Sequence, residues 1–192
     1  MTKGEWCMWG GGIAVLLLAR PVAAQGGPAA PGFRAPVLSQ SDTGKLKGPR
    51  QPIFFRHDIH AGQDRIPCMY CHYSAAISSE PGIPSVQTCI GCHQIINGTT
   101  DSHRAEITKI RSAWRDRSPP EWIRVYAVPD FVHFPHMRHI KVLGTDAASC
   151  ANCHGEVAKQ PRIYQVATLK MGWCVRCHVQ RKVTQDCTAC HF

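Results

Sequence analysis

The chain has 192 residues, enough for one domain or two small ones, and only 8% are aromatic beside 16 glycines and 14 prolines. That composition excludes a large side-chain core, while 11 cysteines exceed ordinary usage and require disulfides, metal or covalent cofactor attachment to explain them. The formal charge of +9 leaves nucleic acid, an acidic partner or an internal counter-charge as its reason, and the motifs decide among these.

Residues 1–24 read as an export segment. Lys3 gives a positive start, an apolar run extends from Cys7 to Ala19, and small residues up to Ala24 offer a cleavage site. Arg20 interrupts a run shorter than the roughly 20 apolar residues of a spanning helix. A retained signal-anchor with Arg20 snorkelling is the other reading, and either puts the body outside the cytoplasm. Cys7 belongs to no motif. Residues 25–51, rich in Pro, Gly and Ala, read as a tether.

From residue 52 onward the cysteines fall into five C-x-x-C-H units. They are Cys68-Met-Tyr-Cys71-His72, Cys89-Ile-Gly-Cys92-His93, Cys150-Ala-Asn-Cys153-His154, Cys174-Val-Arg-Cys177-His178 and Cys187-Thr-Ala-Cys190-His191. A histidine follows a given cysteine by chance about 6% of the time here, so five in five is on the order of one in a million. Paired C-x-x-C units also build zinc sites or redox disulfides, but neither requires the invariable histidine. The pattern is that of haem c attachment: two thiols bond the vinyl groups and the adjacent imidazole is the proximal iron ligand. Five covalently bound haems c are the expectation.

Six histidines remain. Four form matching blocks, Phe55-Arg56-His57-Asp58-Ile59-His60 and Phe134-Pro135-His136-Met137-Arg138-His139, each followed by two motifs. Histidines three apart share one face of a helical turn and can serve two haems from one segment. His57, His60, His136 and His139 are therefore expected as distal ligands, with surface histidines as the alternative. The repeat divides the body into a dihaem module, 52–118, and a trihaem module, 119–192.

The fifth haem needs another ligand or has an open site. Met171, just ahead of the fourth motif, is the expected axial ligand and would raise that haem's potential. His103 and His133 are the alternatives, His133 aligning with Phe54 and reading better as aromatic packing. The segment from Ser102 to Asp116 is the strongest helix away from a motif, stopped by Ser118-Pro119-Pro120. It suits bridging the modules or meeting a partner.

The body offers about 28 residues for each haem, so the haems themselves must be the core. The expected fold is a multihaem cytochrome c: loop-rich, with short α-helices wrapped round five stacked haems and little or no β-sheet. Ionised propionates bring the net charge to roughly +4, so the basic composition is mostly counter-charge and nucleic acid is not the expected partner. Six-coordinate haems exclude inner-sphere chemistry and leave electron transfer, not catalysis, as the function.

The paired blocks resemble those of class III multihaem cytochromes c. "RIPCMYCHYSAAISSEPGIPSVQTCIGCHQ", "WIRVYAVPDFVHFPHMRH" and "LKMGWCVRCH" are similar to the pentahaem cytochrome c subunit of bacterial alternative complex III. Over residues 52–192 the resemblance implies a periplasmic subunit of a quinol:electron-acceptor oxidoreductase in the respiratory chain. It implies an iron–sulfur/molybdopterin-like subunit and integral membrane quinol-binding subunits as neighbours. A monohaem cytochrome c or terminal oxidase is the implied acceptor. The N-terminal segment departs from the family in being short for an anchor. A freestanding periplasmic shuttle to a reductase, and a multihaem enzyme with one open haem, are the competing readings.

Overall fold

A computed structural model describes residues 32–38 and 40–192, the side chains of residues 40 and 41 excepted. The export segment, Cys7 and the first part of the tether lie outside the described residues. Among the described residues there is no strand. Seven short α-helices are joined by loops and single turns: α1 Gln40–Lys45, α2 Cys68–Cys71, α3 Val86–His93, α4 Asp101–Arg115, α5 His136–Leu143, α6 Ala147–His154 and α7 Met171–Gln180. The fold is helical and loop-rich, as a multihaem cytochrome c requires.

Helix length follows the cysteine motifs. α3, α6 and α7 each carry one whole C-x-x-C-H unit, α2 carries Cys68–Cys71 with His72 as its C-cap, and the fifth unit begins in a 3₁₀ turn, Cys187–Ala189. Start signals are local: Asp146 caps α6 by accepting from Ser149 N at 2.8 Å, and Asp186 caps the last turn by accepting from Thr188 N at 3.0 Å. Gly155 ends α6 at φ +67°, a conformation that side chains avoid.

Helix α4 is the one long element. Its N-cap is Thr100, whose hydroxyl accepts from His103 N at 3.1 Å, two residues ahead of the serine that the sequence suggests. Its apolar stripe buries Ile107 and Ile110, and Ile110 meets Ile53 and Ile90 in a small cluster flanked by Val86, Cys89 and Trp122. α4 therefore packs on α3. Glu106 accepts from Phe54 N at 2.8 Å and Arg111 donates to His93 O at 2.7 Å, which ties the helix to the first block and second motif.

The side-chain core is sparse. The buried apolar residues among those described are Ile53, Ala75, Ile90, Ile107, Ile110 and Ala167. Residues 32–38 and 40–48 are strapped to the body: Arg162 donates to Leu46 O and Thr43 O at 3.2 and 2.9 Å, and Arg56 to Pro36 O at 2.9 Å. A Cβ on Gly48 would stand 2.2 Å from Ile163 O, so only glycine allows the strap this close. The described part of the Pro/Gly/Ala-rich stretch is thus held down by buried arginines.

Candidate haem-binding site

The four block histidines each face a different motif histidine. Ring centroids are 6.3 Å apart for His57 and His72, 6.0 Å for His60 and His93, 6.3 Å for His136 and His154, and 6.2 Å for His139 and His178. Two imidazoles bound axially to one first-row metal have centroids about 6 Å apart, from bonds of about 2 Å and the ring radius. The separation fits one iron between each pair. Each block histidine is used once, as the count of two distal ligands per block demands.

Hydrogen bonds select the tautomer. Nδ1 of His60, His93, His136, His139 and His178 lies 2.9, 3.1, 3.2, 3.2 and 2.6 Å from the carbonyl oxygens of Arg56, Ile96, Ala75, Pro135 and Thr184. His191 Nδ1 lies 3.0 Å from Phe131 O. A carbonyl only accepts, so Nδ1 carries the proton in each, and Nε2 is left with its lone pair for a metal. His57 differs: its Nδ1 is buried without a partner.

For five of the imidazoles burial favours the neutral form, the one that ligates metal. It lowers the pKa of His57 to about 3, with His72, His60 and His154 adding repulsion. It likewise lowers His60, His72, His139 and His154.

The repeat is physical as well as sequential. Phe55 stacks on His60 at 4.4 Å and meets His57 edge-on at 4.7 Å; Phe134 stacks on His139 at 4.2 Å and meets His136 edge-on at 5.8 Å. The carrying turns differ, since Asp58–Gln63 is a π-helical turn and the second block opens α5. The π turn stands close to the neighbouring chain, for a Cβ on Gly62 would be 2.3 Å from Ala158 O. Beneath it, Asp58 is fully buried and accepts two hydrogen bonds from Arg56, the Nε one at 2.8 Å.

The ten motif cysteines form no disulfide, and among the described residues no three His, Cys, Asp or Glu side chains converge as a zinc site requires. Cys68, Cys71, Cys89, Cys92, Cys150, Cys153, Cys174, Cys177, Cys187 and Cys190 would each supply one thioether. The residues present fit haem c.

The fifth motif is built differently. Phe131 O holds His191 Nδ1, Cys190 O accepts from His133 N at 2.8 Å, and the His133 ring stacks on Phe192 at 3.9 Å. None of the four block histidines faces His191, each having another partner. Met171 opens α7 one turn ahead of Cys174 and is 65% exposed, and the described contacts do not pair it with His191. His103 sits in the first turn of α4, its Nδ1 3.4 Å from Thr99 Oγ1. The role of residues 131–133 as the cradle of this motif was not legible in the sequence, because nothing in Phe131-Val132-His133 marks contact with a segment 60 residues on.

No family model matches the chain. It is 26% identical over 160 residues to the multihaem cytochrome c subunit of menaquinone reductase from Nitratidesulfovibrio vulgaris, covering 73% of this chain and 74% of that protein. The likeness supports the multihaem cytochromes c at large, and with it covalent haem c.

Proposed function

We propose that the chain is an electron-transfer subunit carrying five haems c in a quinone-linked membrane complex on the periplasmic side of the cytoplasmic membrane. The observation that carries this is the set of four facing imidazole pairs, 6.0 to 6.3 Å apart, each beside a C-x-x-C-H unit. When bound, haem supplies a one-electron iron couple. His72, His93, His154, His178 and His191 are the proximal ligands in this reading, and His57, His60, His136 and His139 the distal ones. A histidine pair would hold each of four irons and would leave no position there for substrate, so the chain's part is to fix spacing and potential.

Met171 is the proposed sixth ligand of the fifth site. His133 is engaged with Phe192, and α4 holds His103 beside Thr99. A thioether there gives one haem a higher potential than the bis-histidine four, which suits the end of a relay.

The three phrases quoted above favour alternative complex III as the host. Electrons would then pass from quinol, through an iron–sulfur/molybdopterin-like subunit, to a monohaem cytochrome c or oxidase. The name of the Nitratidesulfovibrio relative favours a second reading, in which a similar subunit delivers electrons toward menaquinone. Direction separates the two. The test is a haem count and turnover assay on the isolated complex. Five haems per chain, by alkaline pyridine spectrum and intact mass, with quinol-driven reduction of them, support the first reading. Reduction of quinone by the pre-reduced chain, with no quinol oxidation, supports the second. Fewer than five haems would defeat the site assignment itself.

A further inference from the structure

The order of the five sites in space differs from their order in the sequence. Within the first module, one turn supplies His57 opposite His72 and His60 opposite His93, so motifs one and two are neighbours. In the second module α5 joins motifs three and four in the same way.

The modules meet through the first motif of each. The Cys68 and Cys150 side chains lie next to one another. The packing round this junction is reciprocal. The Asp58–Gln63 turn lies on Val157–Lys159, just after motif three, while α5 lies on Tyr73–Ala76, just after motif one. His136 N and Met137 N donate to Ser79 O and Ser78 O at 3.2 and 3.1 Å, and His136 Nδ1 to Ala75 O. Each module's distal block is thus clamped by the loop that follows the other's first motif.

Motif five continues from motif four. The short loop between them is drawn in by His178 Nδ1 on Thr184 O at 2.6 Å and Val183 N on His178 O at 3.0 Å. Exposure sets the junction apart: all four cysteines of motifs one and three are half-buried, whereas motifs two, four and five each have an exposed one, Cys92, Cys177 and Cys187.

We infer that the five sites form a single file in the order two, one, three, four, five, and that electrons enter and leave through the sites of Cys89/Cys92 and Cys187/Cys190. This rests on the five-haem reading above. It makes the contact of motifs one and three the one passage between modules, and it puts the proposed methionine-ligated site at one end and a bis-histidine site at the other.

The experiment is anomalous X-ray diffraction at the iron edge on the native holoprotein, each iron being assigned through the thioether bonds to its cysteines. The expected result is five irons in which those of motifs one and three are the nearest pair between modules, and those of motifs two and five the most distant pair of all. Five irons with motif two beside motif three, or with motif five nearer to motif two than motif one is, overturn the file alone. Fewer than five irons overturn the five-haem reading and the file with it.

Discussion

His57 and His72 face each other across 6.3 Å with ring planes only 10° from parallel, although they belong to different turns and no hydrogen bond joins them. The first comes from a π-helical turn pinned by the buried Arg56–Asp58 pair, and the second ends the first cysteine motif. Their opposition makes chemical sense as two ligands of one iron, and it leads to the clearest mutational tests.

Replacing His57 with alanine is expected to leave five haems attached, since no thioether is touched, and to convert one of them from low-spin to high-spin ferric iron. Electron paramagnetic resonance reads this directly. His103→Ala is the control and should leave the spectrum unchanged. A His57→Ala protein that remains wholly low-spin would remove His57 from the ligand set.

Met171→Leu should abolish the sulfur-to-iron absorption of one haem. Met171→His should restore a six-coordinate site and move the highest midpoint of the redox titration down toward the others. Unchanged spectra and midpoints in both variants would return Met171 to the role of an exposed residue at the start of α7.

The Arg56–Asp58 pair is a test of the scaffold. Arg56→Met strands a carboxylate that is 0% exposed, and breaking such a pair from one side costs roughly 3–5 kcal/mol. The double variant Arg56→Met/Asp58→Leu should recover most of that loss in denaturant titrations. Equal destabilisation of single and double variants would show that the arginine acts through Pro36 O alone.

Phe134→Ala removes the ring stacked on His139 at 4.2 Å. A stability loss of about 1 kcal/mol beyond the apolar area is expected from the aromatic pair. The same loss should appear for Phe55→Ala, since Phe55 stacks on His60 in the same manner. Circular dichroism during chemical unfolding of the holoprotein measures both, and a neutral result in either would break the equivalence of the two blocks.

Chain synthesised without haem attachment should fail to fold cooperatively. Six buried apolar residues, two of them alanines, remove too little surface from water to offset the backbone entropy of the described chain. A sharp thermal transition in the haem-free chain would contradict the view that the cofactors are its core.

Much of the site was legible because its constraints are local. C-x-x-C-H fixes two thioether positions and one iron ligand within five residues, and the Phe-x-His-x-x-His spacing fixes two further ligands on one turn. The match of His57 with motif one and His60 with motif two was not legible, since it depends on how loops close. The same holds for the Phe131–His191 contact and for the strap held by Arg162 and Arg56, where backbone carbonyls far along the chain are the partners and carry no side-chain signature. The cap of α4 was misplaced from Ser102 to Thr100 for a smaller reason: Thr100, Ser102 and Asp101 all cap helices, and the extended backbone of Thr100 decides between them.

The central claim is that this chain passes electrons as a haem-bearing subunit of a quinone-linked complex. The most direct measurement is a native gel of gently solubilised membranes, stained for haem and assayed for quinol oxidation in the same lane. A haem-positive band containing this chain, large and quinol-active, is the predicted result. A small haem-bearing species in the soluble periplasmic fraction, absent from any quinone-active band, would contradict it.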